Sequence, residues 1–124
     1  MLTFHACIRG AGPAASEPLS VTFDQALDAL QPLERFFIEP DGSFVWAGTL
    51  SDGRSWQVDG NLIDRGDRLA YVDLKGRCTD TQLEQILTVL GWPEQLLAFE
   101  LTRSGRLVDE SEFRQLAATQ AGAI

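Results

Sequence analysis

The sequence predicts an α+β domain of two layers, in which helices cover one face of a mainly antiparallel sheet. A long central stretch, residues 34–76, alternates between apolar and polar side chains and is interrupted by three glycine-containing turn signals. Two capped amphipathic segments flank this stretch, one on each side. Together these observations predict the order β-α-ββββ-α-β-α, centred on a four-stranded meander over 34–76, within a single domain over 1–124.

The first predicted element is a strand over residues 2–9, which is followed by a flexible connection over 10–20. This connection contains two prolines and several small residues, a composition typical of irregular structure. The strand could join an edge of the sheet or pair with a later strand over 96–102, and the sequence leaves both arrangements open. Its apolar side is formed by Leu2, Phe4, Ala6 and Ile8, and its other side by Thr3, His5, Cys7 and Arg9.

The first helix is predicted to begin at Phe23. Thr22 and Gln25 have the spacing of a capping box, in which each side chain bonds the backbone N–H of the other. Pro32 cannot continue the helix and therefore ends it. The apolar stripe of this helix suits packing on the meander, and it consists of Phe23, Ala26, Leu27 and Leu30.

The turn sequences predict how the four central strands pair. Proline has no N–H to donate across a two-residue hairpin, so Pro40 favours a three-residue loop that ends at Gly42. Equivalent loops are predicted at 51–53 and 64–66, because a change of one residue in register would move the apolar side chains to the opposite face. The predicted pairs are Phe36–Trp46, Ile38–Phe44, Trp46–Val58, Gly48–Trp56, Val58–Val72 and Trp56–Leu74.

This register divides the meander into a core face and an open face. We expect the open face to meet solvent, because an antiparallel sheet can be covered on one side only. Gly48 lies opposite Trp56, where its missing side chain makes room for the indole. The core face carries Phe36, Ile38, Phe44, Trp46, Trp56, Val58, Leu62, Ala70, Val72 and Leu74. The open face carries Arg35, Phe37, Val45, Ala47, Gln57, Asp59, Asn61, Tyr71, Asp73 and Lys75.

The last third of the chain predicts two further helices with a strand between them. Thr79 and Gln82 cap the second helix, which ends at Gly91 ahead of Pro93. A strand over 96–102 follows, and a turn leads into a short returning segment over 106–108. The third helix begins at 109–112 with acidic residues at its positive end, and the tail over 118–124 is expected to fray.

The composition limits the classes of partner. The chain has 124 residues, a net charge of −8 and a pI of about 4.4, which argues against binding to nucleic acids or anionic membranes. Its two cysteines, Cys7 and Cys78, predict free thiols in a reducing compartment, and no signal peptide opens the chain. No apolar run approaches the roughly 18 residues of a membrane span. The cytoplasm is therefore the expected location.

No motif for catalysis, a metal ion or a cofactor stands out. Residues 10–15 match the letters of a dinucleotide-binding fingerprint, but Pro13 interrupts them and no helix opens directly, so a flexible crossover is favoured. His5 and Cys7 share a strand face without an evident third residue to orient them. The spacing of cysteine and histidine fits no zinc site.

Two carboxylates, Asp59 and Asp73, are predicted to share the open face of adjacent strands, with Tyr71 directly opposite Asp59. Such a pair could act as acid and base or bind a cation. On an open sheet, a solvated surface is the favoured interpretation.

The sequence predicts a non-enzymatic protein-binding module, or a small homodimer, that uses the open face. One form of this hypothesis is an acidic partner of a basic protein, as immunity and chaperone proteins are. The alternative is a small-ligand-binding protein or an enzyme with an apolar pocket between the helices and the sheet, beside Trp46 and Trp56. The candidate contact residues are Phe37, Val45, Ala47, Asp59, Tyr71, Asp73 and Trp92.

Overall fold

A seven-stranded antiparallel sheet and three helices form the fold, as seen in a computed structural model that describes residues 1–13 and 17–119. This confirms the predicted α+β class with an antiparallel sheet. The helices are α1 (Phe23–Leu30), α2 (Asp80–Val89) and α3 (Glu110–Thr119). The strands are β1 (Leu2–Gly10), β2 (Phe36–Ile38), β3 (Ser43–Thr49), β4 (Ser55–Arg65), β5 (Arg68–Cys78), β6 (Leu97–Leu101) and β7 (Leu107–Val108).

The first strand of the chain occupies an interior position in the sheet. The strand order is β2-β3-β4-β5-β1-β6-β7, and β1 runs antiparallel to both of its neighbours. Ile8 of β1, for example, lies opposite Val72 of β5 on one side and Phe99 of β6 on the other. The strand therefore joins the central strands and also pairs with the later strand, and β7 continues the sheet beyond β6.

The first two hairpins of the central strands have the predicted loops and registers. Gly42 has a φ of +94° and donates its N–H to the carbonyl of Glu39 at 2.9 Å. Gly53 has a φ of +89° and bonds the carbonyl of Leu50 in the same way at 2.9 Å. Glycine adopts positive φ without strain, which explains why each loop ends on one. The observed pairs are Phe36–Trp46, Ile38–Phe44, Trp46–Val58 and Gly48–Trp56, as predicted.

The loop and register predicted for the third hairpin are wrong. The strands are joined by a two-residue loop, 66–67, in place of the predicted loop over 64–66. A bulge opposite Ile63 and Asp64 then adds one residue to β5, because Ile63 pairs with Tyr71 and Asp64 with Leu69, so that Ala70 has no partner on β4. A two-residue loop alone would have turned the apolar residues of β5 to the face opposite to that of β4. The extra residue returns them to the core face beyond the bulge.

The correction shifts the partners of β4 and β5 but keeps their faces. Each predicted partner moves by four positions along β5, which is an even number, so residues of the core face still lie opposite residues of the core face. Close to the turn, on the far side of the bulge, Leu69 is buried in place of Ala70. The observed pairs are Val58–Gly76, Gly60–Leu74 and Leu62–Val72, in place of the predicted Val58–Val72 and Trp56–Leu74.

Both predicted capping boxes are present. The N–H of Gln25 bonds the Thr22 hydroxyl at 3.0 Å, and the N–H of Thr22 bonds the Gln25 side chain at 2.9 Å. At α2, the N–H of Thr79 bonds the side chain of Gln82 at 2.7 Å. Gly91 follows the last turn of α2 with a φ of +106°, as its predicted role at the helix end requires.

Two segments predicted to be flexible lie partly outside the described residues. In the connection over 10–20, residues 14–16 are not described. Near the end of this connection, Leu19 is fully buried and donates its N–H to the carbonyl of Leu69 at 2.9 Å. Of the tail over 118–124, the first two residues are described and belong to α3.

One hydrophobic core joins the three helices to one face of the sheet. The Phe113 ring of α3 stacks on Phe99 with 4.4 Å between ring centroids, and it is tilted against Phe4 at 5.7 Å. At the other end of the sheet, Trp46 and Trp56 meet edge to face at 4.8 Å. Because the helices pack on this face, no described helix covers the opposite one.

The buried thiol of Cys78 makes the stability of the fold sensitive to alkaline pH. Burial, with a smaller contribution from the charge of Asp80, raises the pKa of Cys78 from 9.0 to about 12. Because the folded pKa is raised, the stabilisation is fully present below pH 9.0 and is lost as the pH rises towards about 12. We expect a loss of about 2–3 kcal/mol between about pH 8 and pH 11.

This loss can be measured by urea unfolding of the wild type and of Cys78→Ala at several pH values. The alanine variant should lack this part of the pH dependence, whatever its stability at neutral pH. A parallel decline in both proteins would show that Cys78 does not cause it.

Candidate binding face

The candidate site is the sheet face that no described helix covers, termed the open face. Alternate residues of each strand point towards it, because successive side chains of a strand point to opposite sides. Of the predicted contact residues, the register places six on this face: Phe37, Val45, Ala47, Asp59, Tyr71 and Asp73.

An exposed apolar pair lies on the open face near one edge of the sheet. Phe37 of β2 and Val45 of β3 are direct cross-strand partners, and they are 69% and 39% exposed. The other large exposed apolar residues of the described chain are Leu96 and Leu107, which are 65% and 49% exposed. They belong to the segment of β6 and β7 at the opposite edge, so the Phe37–Val45 pair stands alone on its side.

A depression of about 810 Å³ lies next to this pair on the open face. Four of the ten Lys and Arg residues of the chain line it, whereas only one of the 18 Asp and Glu residues, Asp59, does so. Asp59 lies opposite Val45, which places the depression beside the apolar pair. We term it the basic depression, and its cations are Arg35, Lys75, Arg77 and Arg103.

Two of these cations form no ion pair with their cross-strand neighbours. Lys75 lies opposite Asp59, whose carboxylate accepts a hydrogen bond from Nε2 of Gln57 at 2.8 Å. Arg77 lies between two neutral residues, Gln57 of β4 and Thr3 of β1. Within the described residues, neither cation forms an ion pair with a carboxylate.

Arg35 enters the depression from the corner that precedes β2, and its backbone is left-handed. Its φ is +59°, a region that costs a residue with a side chain about 1–3 kcal/mol. The corner is held by two hydrogen bonds to β3: Ala47 donates its N–H to the Arg35 carbonyl at 3.4 Å, and Trp46 donates Nε1–H to the Glu34 carbonyl at 3.0 Å. Arg35 also forms no ion pair with a described carboxylate.

A polar cluster of His5, Cys7 and Asp73 adjoins the basic depression at the centre of the open face, since His5 also lines the depression. Oδ1 of Asp73 is 3.5 Å from Nε2 of His5 and 3.9 Å from Sγ of Cys7, so the carboxylate lies between the two side chains. Burial and the charge of Asp73 raise the pKa of the Cys7 thiol. A nucleophilic cysteine requires the opposite shift, so this cluster does not have the electrostatics of a cysteine hydrolase.

The position predicted for Tyr71 is wrong. Tyr71 lies opposite Ile63 and not opposite Asp59, because the register of the third hairpin differs from the prediction. The guanidinium of Arg9 lies over the Tyr71 ring, 4.5 Å from its centroid, and also lies 3.6 Å from Glu100. Tyr71 is therefore engaged by a cation–π contact within the open face.

The two predicted carboxylates have different neighbours. Asp59 lies opposite Lys75, whereas Asp73 lies opposite Asn61 and contacts β1. Among the residues that the structure describes, no three His, Cys, Asp or Glu side chains are grouped so that they could hold a metal ion.

Trp92 lies apart from the other six candidate residues. It follows α2 on the helix side of the sheet, is partly buried against the core, and donates its backbone N–H to the carbonyl of Leu87 at 3.0 Å. Trp92 therefore borders the core and does not extend the open face.

A second concavity, a groove of about 530 Å³, lies between α2 and the aromatic end of the core. Gln82 and Gln85 of α2 form one side of this groove, and Trp46 and Trp56 form part of the other. The groove occupies the place where the alternative hypothesis put a small-ligand pocket.

The chain matches no known family, curated protein or solved structure. No helix in the described part of the chain has the length and apolar character needed to cross a membrane. The geometry and charge of the two concavities are therefore the basis on which a function can be proposed.

The basic depression was not predicted from the sequence. Arg35 and Lys75 were predicted to lie on the open face, but the predicted meander ended at Gly76, so Arg77 lay outside it. The strand continues beyond that residue, and the spacing of two positions between Lys75 and Arg77 was the available signal. The approach of Arg103 depends on β6 pairing with β1, which no local sequence pattern indicates.

Proposed function

We propose that the protein is a cytoplasmic, non-enzymatic binding module whose open face receives a partner protein. The observation that carries the proposal is the exposed pair Phe37 and Val45, which the meander over 34–76 presents beside the basic depression. Exposed apolar side chains next to a charged concavity are typical of interaction sites. The free thiols of Cys7 and Cys78 favour a reducing compartment.

The proposed partner presents apolar side chains flanked by Asp or Glu. The apolar side chains would cover Phe37 and Val45, and the carboxylates would face the basic depression. Complementary charges of this kind accelerate association and make it sensitive to salt. A basic partner, which the net charge alone suggests, would have to bind elsewhere on the chain.

Replacing Phe37 and Val45 together with serine should weaken partner binding by about 30-fold or more, because the proposal puts both at the centre of the interface, where the few residues that dominate binding each contribute more than about 1 kcal/mol. The partner would be captured on immobilised wild-type protein, purified, and titrated against both forms by calorimetry. The matched control is Leu96→Ser with Leu107→Ser, which removes two exposed apolar side chains from the opposite edge of the sheet. The control should bind like the wild type.

Capture of a protein supports the proposal only if the two double variants differ in their affinity for it. Equal affinity of both variants, whether unchanged or equally weakened, would contradict the proposal. A wild-type dimer seen by light scattering, with a monomeric Phe37/Val45 variant, would show that a second copy of the chain covers the face instead. Both variants should unfold within about 1 kcal/mol of the wild type, since each replaces two side chains that are exposed.

A small-ligand-binding protein is the second candidate, and the groove beside α2 is the observation that favours it. A ligand in this groove would shift the NMR signal of the Trp46 indole N–H, which bonds the Glu34 carbonyl. A partner confined to Phe37 and Val45 would leave Gln82 and Gln85 unshifted, which distinguishes the two functions.

A further inference from the structure

We propose that the basic depression is a binding site for a small organic anion, namely a carboxylate or phosphate attached to an aromatic or similarly flat apolar body. This site requires no partner protein and therefore goes beyond the function proposed above. The inference depends on the charge of the depression, the convergence of its cations and the apolar surface beside them.

The charge of the depression is opposite to that of the chain. The protein carries a net charge of −8, yet four of its ten cationic residues meet in one concavity with a single carboxylate, Asp59. A concave surface lined by charges of one sign focuses the electrostatic potential and attracts ligands of the opposite sign. The distribution therefore favours an anion in this concavity although the whole molecule repels anions.

The cations approach a common space from different elements. Lys75 and Arg77 point from neighbouring positions on one face of β5, whereas Arg35 arrives from the corner before β2, across β3 and β4. None of these three forms an ion pair with a described carboxylate. A guanidinium group can bind a carboxylate or phosphate through two parallel hydrogen bonds, and an ammonium group adds a point charge.

The backbone at Arg35 gives a second, independent indication. Glycine would occupy this left-handed corner without strain, yet the residue there is an arginine whose side chain lines the depression. Strained backbone positions cluster at ligand-binding sites, where the side chain is needed in that place.

An apolar surface lies beside the cations. Ala47 lies on the open face next to the Arg35 corner and opposite Gln57, so its methyl group adjoins the cations. The Trp56 indole packs on the opposite, core face against Trp46, where the missing side chain of Gly48 makes room for it, as the sequence predicted. A small flat ring could lie over Ala47, and the volume of about 810 Å³ lies within the usual range for small-molecule sites.

Four probes that share a phenyl ring test the proposal: phenyl phosphate, benzoate, benzyl alcohol and benzylamine. Each is titrated into isotope-labelled protein while the NMR signals of the backbone amides of Ala47, Gly48 and Gly76 are followed. We expect saturable shifts with the two anions and a Kd of about 1 mM or tighter for at least one of them. The stronger of the two anions distinguishes a phosphate site from a carboxylate site. The affinity should fall as the ionic strength rises from about 0.01 M to about 1 M, since the Debye length falls from about 30 Å to about 3 Å.

A pair of double variants with equal net charge locates the site. Arg35→Gly with Arg77→Gln removes two cations from the depression, and Arg65→Gln with Arg68→Gln removes two from the exposed tip of the β4–β5 hairpin. We expect the first to weaken anion binding by about tenfold or more and the second to change it by less than about twofold. Arg35→Gly alone should not lower the unfolding midpoint, because the relief of the left-handed strain at this position offsets the greater flexibility that glycine gives the unfolded chain.

Several outcomes would overturn the inference. They are the absence of saturable shifts with both anions, equal binding of benzylamine or benzyl alcohol, and equal weakening by the two double variants. The Phe37/Val45 serine variant should bind the anions like the wild type. This result separates the anion site from the proposed protein contact, so either can fail while the other stands.

Discussion

Replacing Phe113 with alanine should lower the free energy of unfolding by about 3–5 kcal/mol. The Phe113 side chain is fully buried, stacks on Phe99 at an interplanar angle of 14°, and contacts the ring of Phe4. Truncation would leave a cavity where α3 meets the two strands β1 and β6, and the rings around it could fill that cavity only in part. This loss is a large share of the roughly 5–15 kcal/mol of stability that a domain usually has.

Urea unfolding measures this loss, and Phe37→Ala is its matched control. The control removes the same side chain from an exposed position and should change the free energy of unfolding by no more than about 0.5 kcal/mol. A loss below about 1 kcal/mol for Phe113→Ala would mean that α3 does not depend on this contact. The other contacts that hold α3 are the buried Ala117 and the side chain of Arg114, which lies 3.0 Å from Glu84 of α2.

Replacing Gly76 with alanine should destabilise the protein by about 3 kcal/mol or more. A Cβ atom at this position would lie 2.3 Å from the carbonyl oxygen of Gln57 and 2.7 Å from Cα of Val58. Both atoms belong to the backbone of β4, so relief would require the two central strands to separate. The methyl group therefore disturbs hydrogen bonds as well as packing.

Alanine replacements at two other glycines provide comparisons for the loss of stability expected at Gly76. At Gly60, the nearest atoms to a new Cβ belong to the Phe44 ring, which can move at the expense of its stack on Phe36, and we expect a loss of about 1–3 kcal/mol. At Gly53, no atom lies within 4 Å and only the left-handed backbone opposes alanine, so we expect about 1 kcal/mol. A loss of stability at Gly76 no larger than that at Gly53 would show that β4 and β5 move apart readily enough to accommodate the methyl group.

Local sequence patterns were sufficient to predict most of the secondary structure. The missing N–H of Pro40 predicted the loop of the first hairpin, and the alternation of apolar residues predicted the register of the first two hairpins. Both signals depend only on residues that are close in the sequence. The third hairpin differed because a bulge at Ile63 and Asp64 compensates for a shorter loop. Alternation cannot distinguish a three-residue loop from a two-residue loop with a bulge, because both leave the same side chains on the same face.

The candidate site was predictable only in part. Phe37 and Val45 follow from local alternation, and the structure finds both exposed. The basic depression brings together residues of one face that are far apart in the sequence, from the corner before β2, from β5 and from the segment after β6. Its shape therefore depends on pairings between distant strands. The left-handed conformation of Arg35 is also set by the tertiary contacts of its corner, and the identity of the residue gives no indication of it.

The interior position of β1 has a consequence for the order of events during synthesis. This strand is made first, but its partner β5 begins at Arg68 and its partner β6 ends only at Leu101. At a translation rate of about 5–20 residues per second, about 5–20 s pass between the completion of β1 and that of β6. The hairpins from β2 to β5 can form during this interval, whereas Phe4 and Ile8 await their neighbours. The nascent chain therefore carries β1 as an unpaired apolar strand until β5 is complete, and one edge of β1 stays open until β6 follows, a period in which chaperones and aggregation compete for it.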